Sequence, residues 1–396
     1  MDRHCVGRFS LLETVYNKKY SLFSLVYIMT IAFTDLATQY QQLKTVIDAR
    51  IQQVLDHGQY ILGPEVAELE STLASFVQTK YAVGVSDGTT ALQMALMALN
   101  IGSGDEVITT PFTFISTAET IALLGATPVY VDIDPISYNM DPKNIESAIT
   151  RRTKAIMVVN LYGQCADFDA INAIAKKRDL VVIEDAAQSF GGQYKSKRSG
   201  SLATISCTSF YPAKPLGCYG DGGMCFTNDT TLAQQLRLIR THGQSERYYH
   251  TILGLNGRLD TLQAAILLAK FPSFEAEIMA RQQVAKNYND LLKGFVEIPK
   301  VASNCLSAYA QYTIQVKDRL RVQAALKKQG IPTAIHYPIP LHQQPALCIA
   351  QKSSRTLVHA EKASATVLSL PMHPFLDTAT QQYIAQALKK AVEYDE

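Results

Sequence analysis

Between Tyr81 and Glu184 the chain alternates short apolar runs with stretches of helical periodicity, and that alternation admits few folds. Residues 81–85, 106–110, 128–132, 155–160 and 180–184 read as strands, while 116–124, 142–149 and 167–178 read as helices between them. The strands are apolar on both faces rather than alternating, as a parallel sheet covered by helices on each side requires. The expected class is therefore α/β with a mostly parallel central sheet, and in such sheets ligands lie at the carboxyl ends of the strands.

Two features fall at those ends, and a third follows a short β-prone run further on. The strand-like run Leu180-Val181-Val182-Ile183-Glu184 ends in Asp185, and a buried aspartate there calls for a cationic partner, although a helix N-cap is the simpler role for it. The run from Tyr81 to Val85 turns through Ser86-Asp87-Gly88-Thr89 into an apolar-periodic helix, whose free amides and positive dipole end suit a phosphate. Ordinary N-capping explains the same residues. In Ser209-Phe210-Tyr211-Pro212-Ala213-Lys214-Pro215 a lysine stands between two prolines and before a glycine-rich turn. Its ammonium is held on a stiff connection; a surface lysine is the plain alternative, and a Schiff-base lysine the chemical one. Phosphate cradle, strand-end aspartate and placed lysine, in that order, describe a pyridoxal 5'-phosphate site, in which a protonated ring nitrogen is the cation Asp185 lacks.

Those stretches, with Thr110-Pro111-Phe112-Thr113-Phe114, Glu184-Asp185-Ala186-Ala187-Gln188, Asn256-Gly257-Arg258 and His336-Tyr337-Pro338, resemble the sugar-nucleotide aminotransferases of the DegT/StrS type, within fold type I of the aspartate aminotransferase superfamily. The resemblance runs from about Ile31 to the C-terminus. It implies that Lys214 is both the Schiff-base lysine and the acid/base, that Asp185 pairs with the pyridinium nitrogen, and that Gln188 contacts the ring hydroxyl. It further implies that Phe114 stacks on the ring, that Gly88, Thr89 and Ser209 hold the phosphate, and that Asn256 reaches it from the other subunit of a homodimer. Phe114 as a core phenylalanine is the competing role. Some relatives with histidine in place of the lysine dehydrate sugars; Lys214 points to transamination.

The stretches 160–167, 214–223, 255–260 and 335–342 are similar to the members that act on UDP-2-acetamido-2-deoxy-3-oxo-glucuronate with L-glutamate as donor, in lipopolysaccharide O-antigen synthesis. On that resemblance Arg258 grips a carboxylate, and His336 and Tyr337 line the substrate pocket, where a structural role is equally open for the last two. Gly257 departs from the pattern, which favours a side chain there, and is expected to loosen its loop. The rivals are an aminotransferase acting at C4 of a 4-keto-6-deoxy sugar nucleotide and a regulatory protein that binds the cofactor without turnover.

At 396 residues the chain is long enough for two domains. Phe271-Pro272 suggests the break, giving a large cofactor-binding domain over 29–272 and a smaller α/β domain over 273–396. Residues 1–28 do not match the remainder of the chain and read as an extension or a misassigned start, with Met29 as the natural one. The apolar run from Tyr20 to Phe33 is broken by polar residues, which argues against a signal peptide or a membrane anchor. A net charge of +2 argues against nucleic acid. Seven cysteines, at 5, 165, 207, 218, 225, 305 and 348, show no metal-like spacing and fit a reducing cytoplasm.

Overall fold

The computed structural model describes residues 31–347 and 356–393, so the expectations for residues 1–28, Cys5 and Cys348 lie outside it. Helices α1 (Leu36–His57) and α2 (Pro64–Val77) precede the sheet. Asp35 caps α1 by accepting from the Thr38 amide, a bond worth about 1 kcal/mol, and Gly58 ends the helix at φ 69°.

The sheet and its covering helices come next as β1 (Tyr81–Val85), α3 (Gly88–Ala98), β2 (Glu106–Thr109), α4 (Ser116–Leu123), β3 (Thr127–Tyr130), β4 (Thr153–Val159), α5 (Phe168–Arg178) and β5 (Val181–Asp185). A side ribbon of β6 (Gln193–Tyr194) and β7 (Lys197–Arg198) leads on to β8 (Ile205–Ser209), β9 (Gly223–Thr227) and α6 (Thr230–Ile239). The seven strands lie in the order β1-β9-β8-β5-β4-β2-β3. Strands β8, β5, β4, β2 and β3 run parallel, and β9 is antiparallel to both of its neighbours. The reversal has a local cause: the chain returns from β8 to β9 through a loop, without the crossover a parallel partner needs.

Three segments depart from the sequence pattern, which reads 142–149 as a helix, 241–249 as a polar turn-like substrate loop and 258–270 as a helix. Residues 142–149 form two short 3₁₀ turns, Pro142–Asn144 and Glu146–Ala148, instead of a helix. So short a stretch gains little from helix propagation, and buried Ile145 and Ala148 pin it to the core. The polar stretch after Thr241 is a hairpin of β10 (Gln244–Glu246) and β11 (Tyr249–His250), with Tyr248 80% exposed. Helix α7 (Thr261–Lys270) begins after Arg258, because 258–260 stays extended: Arg258 bridges Val85, and Asp260 bridges Ile61.

The rest comprises α8 (Phe274–Leu292), β12 (Cys305–Leu306), which joins β6, then β13 (Tyr312–Gln315), α9 (Arg319–Lys328), α10 (Val358–Thr366), β14 (Val367–Leu370) and α11 (Thr378–Glu393). Strands β13 and β14 pair antiparallel. Helix α8 is shared: Phe274 and Ile278 belong to the core under the large sheet, whereas Val284, Tyr288 and Leu292 pack with β13, β14, α9 and α11. Ile31 joins this second core. Among the described residues no helix is long and apolar enough to cross a membrane.

Candidate active site

The carboxyl ends of β1, β4, β5 and β8 open on one cavity of about 610 Å³. Gly88, Thr89, Phe114, Asp185, Gln188, Ser209, Lys214, His336 and Tyr337 all line it. Residues far apart in sequence meet there because parallel strands bring all their carboxyl ends to one edge.

The cradle end is built from two segments. Asp87 caps α3, its Oδ1 accepting from the Thr90 amide at 2.8 Å. The Gly88 and Thr89 amides precede that turn and have no partner within the helix. Gly88 must be glycine, since a Cβ there lies 2.6 Å from the Cβ of Ser209. The Thr89 hydroxyl meets Ser116 Oγ at 2.8 Å. Amides, hydroxyls and a helix N-terminus converge on one spot, which is what a phosphate needs.

Asp185 ends β5 with 7% of its surface exposed. Its Oδ1 accepts from the Ala187 amide at 3.1 Å and its Oδ2 from Thr117 Oγ1 at 3.3 Å. Burial pushes its pKa up, and the Ala187 amide, the charge of Lys214 and the Thr117 hydroxyl only partly reverse this. The carboxylate is thus short of positive charge.

Lys214 sits on a loop closed by its own backbone: the Cys218 amide donates to the Phe210 carbonyl at 2.8 Å, and the Lys214 amide to that of Tyr211 at 2.8 Å. Burial draws the Lys214 pKa down, against the pull of Asp185. The amine is shifted toward the neutral form that attack on a carbonyl requires.

Gln188 is buried, accepts from the Tyr162 amide at 2.8 Å and donates from Nε2 to the Tyr337 hydroxyl at 3.1 Å. One N–H of its amide remains for a ligand. Phe114 is 54% exposed at the mouth, with its ring centroid 6.2 Å from that of Tyr337; it is a wall of the cavity, not part of the core. His336 Nδ1 lies 2.8 Å from Ser369 Oγ, and burial, helped by the charge of Lys214, pushes the imidazole down to about 4. It is neutral at physiological pH. The Tyr337 hydroxyl is pushed up by burial and by Asp185.

Asn256 and Arg258 are not brought into this cavity within one chain. Asn256 is exposed and bridges Thr241; Arg258 is half-buried beside Val85, and its Nε has no hydrogen-bond partner. The expected looseness at Gly257 is corrected by the structure. Its carbonyl accepts from the Ser86 amide and its amide donates to the Arg240 carbonyl, both at 3.0 Å. A Cβ there meets Leu255 Cδ1 at 2.6 Å and Met94 Sδ at 2.9 Å, so glycine lets this strand lie tightly on α3.

Sequence reasoning missed Thr117, which holds Asp185, and Tyr162, whose amide orients Gln188 and whose hydroxyl donates to the His336 carbonyl. Tyr211, Asp221 and Gln311 also line the cavity unanticipated. Hydroxyl residues at the start of α4, right after Phe114, were the available signal for Thr117. Tyr162 gave none, because its role depends on a left-handed backbone at φ 58°. The described cysteines, Cys165, Cys207, Cys218, Cys225 and Cys305, are free thiols.

Known proteins share this architecture. The family model DegT/DnrJ/EryC1/StrS aminotransferase matches residues 41–389. Over 359 residues, 90% of this chain and 99% of the other, the sequence is 59% identical to a UDP-2-acetamido-2-deoxy-3-oxo-D-glucuronate aminotransferase of Pseudomonas aeruginosa. A DegT DnrJ EryC1 StrS aminotransferase from Brucella abortus superposes with TM-score 0.89 at 43% identity, over 91% of this chain and 99% of that one. NtdA from Bacillus subtilis with bound cofactor PMP superposes with TM-score 0.83 at 31% identity, over 89% of this chain and 82% of that one. The chain belongs to the DegT/DnrJ/EryC1/StrS aminotransferase family.

Proposed function

We propose that the protein is a pyridoxal 5'-phosphate-dependent aminotransferase that moves the amine of L-glutamate to a UDP-linked 3-keto uronic acid, UDP-2-acetamido-2-deoxy-3-oxo-glucuronate. The observation that carries the reading is the meeting, in one cavity, of a lysine with a lowered pKa, a buried carboxylate short of positive charge and a helix N-terminus. Support for the sugar comes from the 59% identity to the Pseudomonas aeruginosa enzyme.

The residues present fit the cofactor. Gly88, Thr89 and Ser209 are the groups that would hold its phosphate, Asp185 its ring nitrogen, Gln188 its ring hydroxyl and Phe114 its ring face. When bound, it supplies an electron sink for the substrate's carbon–hydrogen bond. Asp185 keeps that sink charged, and the Thr117 hydroxyl and Ala187 amide keep Asp185 in place. Lys214 Nζ is the attachment point and the carrier of the proton, a role worth about 10²–10⁴-fold in rate. His336, neutral, and Tyr337 face the same space and offer hydrogen bonds without adding charge beside Lys214.

We assign Asn256 and Arg258 to the cavity of a second copy of the chain, so that a homodimer completes each site. The exposed side chains of Tyr60, Ile61 and Leu62, next to the extended 258–260 segment, are suited to that contact. The Arg258 guanidinium then meets the sugar's C6 carboxylate or the α-carboxylate of glutamate in a two-pronged bond. We retain the division into a cofactor domain over 29–272 and a smaller domain over 273–396, with α8 opening the smaller one and packing its first turns, through Phe274 and Ile278, in the core of the larger. Free thiols at the described cysteines are in keeping with a reducing cytoplasm.

Absorbance of the loaded protein tests the reading, with Lys214→Ala as control. Glutamate is expected to bleach the visible band of the lysine-bound cofactor, and the 3-keto uronate to restore it. Recovery with a 4-keto-6-deoxy sugar alone shifts the substrate to the C4 alternative; binding of the cofactor with no amine transfer leaves only a regulatory role.

A further inference from the structure

Lys270, the last residue of α7, is 2% exposed, yet its ammonium donates to a carbonyl, that of Gly217. It also stands 5.1 Å from the ring centroid of Tyr219. Gly217 belongs to the loop that begins at Phe210 and carries Lys214. Two of the loop's bonds, Cys218 to Phe210 and Lys214 to Tyr211, are internal; the bond from Lys270 ties it to a helix of the large core. Behind Lys270 stands Glu277, both of whose oxygens accept from Gln39 Nε2, at 2.9 and 2.8 Å. One turn on, Arg281 Nη1 donates to the Tyr309 carbonyl at 3.1 Å.

We propose that Lys270 is a positioning residue for the reactive lysine: its charged Nζ pins the Gly217 carbonyl and so holds the Phe210–Cys218 loop with the Lys214 side chain in the cavity. The inference rests on the reading that Lys214 attaches the cofactor. An apolar residue of the same volume would avoid the cost of burying a charge but would leave the Gly217 carbonyl without its donor. The retained charge therefore points to a role beyond filling space.

The groups around Lys270 tune it. Burial draws its pKa down to about 8, Glu277 and Cys218 opposing this and Arg281 adding to it; the Tyr219 ring lies beside the ammonium, and Tyr40 of α1 packs edge-on against Tyr219. As pH rises through that value the bond to Gly217 loses its charge assistance, and with it roughly half its strength.

The test uses the full-length protein loaded with pyridoxal 5'-phosphate, and reads the rate of cofactor release, by exchange against excess free cofactor, from pH 6.5 to 9.5. In the parent protein release is expected to quicken as pH passes about 8. Lys270→Met is expected to release roughly tenfold faster at pH 7, the ratio a lost charged hydrogen bond carries, and to lose the pH break. Lys270→Arg, charged throughout, is expected to stay slow and flat; if the guanidinium does not fit, Lys270→Gln, a donor that cannot titrate, is expected to be flat at an intermediate rate. Variants that lose thermal stability while keeping the parent's release rate and pH break overturn the proposal and leave Lys270 a packing residue. A visible band that survives in Lys214→Ala overturns the underlying reading of Lys214 instead, so the two failures are distinct.

Discussion

The Lys214–Asp185 cavity is legible from its own residues, the Asn256–Arg258 segment only from a family resemblance, and the fold treats the two differently. The first is lined by residues of one chain, with its polar groups packed against the sheet edge and several already bonded. The second lies outside the cavity, with an exposed asparagine and an arginine whose Nε is unpaired. A strand end and the turn beyond it position a side chain by local geometry, because the sheet fixes where every strand stops. The segment proposed to serve another subunit has its backbone in order but no ligand surface within its own chain.

The largest effect that would break this contrast is at Lys214. Lys214→Ala is expected to lower single-turnover amine transfer by roughly 10⁴-fold or more, since attachment and proton transfer are lost together. An effect under tenfold would move the chemistry elsewhere in the cavity.

Asp185→Asn is expected to cost roughly 10²–10³-fold in kcat, as removal of one well-placed electrostatic partner does. Its stability effect has the opposite sign. The folded pKa of Asp185 is raised, so the folded chain holds its proton more tightly than the unfolded chain, and stability falls as pH rises above the unfolded value near 3.9. At pH 7 the cofactor-free Asp185→Asn protein is therefore expected to melt above the parent, which calorimetry checks; a lower melting temperature would show that the carboxylate is already neutralised.

Arg258→Ala sharpens the other half of the contrast. It is expected to raise KM for the carboxylate-bearing substrate roughly 10–100-fold with a smaller change in kcat, the scale of a charged hydrogen bond. Mixing Arg258→Ala with Lys214→Ala protein is expected to restore activity, because a mixed dimer holds one site in which both residues are intact. Absence of recovery on subunit exchange would return Arg258 to a role within its own chain.

The smallest expected effect concerns His336. Its folded pKa, about 4, lies below the unfolded value near 6.5, so its contribution is present above pH 6.5 and is lost as pH falls toward 4. Denaturant titrations from pH 7 to 4 are expected to show a loss of roughly 1–3 kcal/mol that His336→Gln removes. An unchanged slope in the variant would place the imidazole in solvent.

Much of this was legible beforehand. Apolar runs of β5 and the turn into α3 announced both a covered parallel sheet and the edge where a site belongs, since burial on two faces leaves a signature no surface strand shares. The segments that misled are those whose local signal is weak. Residues 142–149 had helical spacing but too few residues to sustain a helix, and the 244–250 hairpin lacks the β-branched residues that mark strands. Arg258 looked like the start of α7 because side-chain periodicity carries no trace of the backbone bridge to Val85.

By itself, then, the order of residues determined the sheet, its active edge and the chemical types of Asp185, Gln188 and Lys214, because hydrophobic burial and helix termini act over a few residues. Only the tertiary structure decided what surrounds them: Thr117 against Asp185, Tyr162 against Gln188, Lys270 beneath the lysine loop, and Gly257 pressed on α3. Those contacts join residues tens of positions apart, and their desolvation and charge exist only once the core has excluded water.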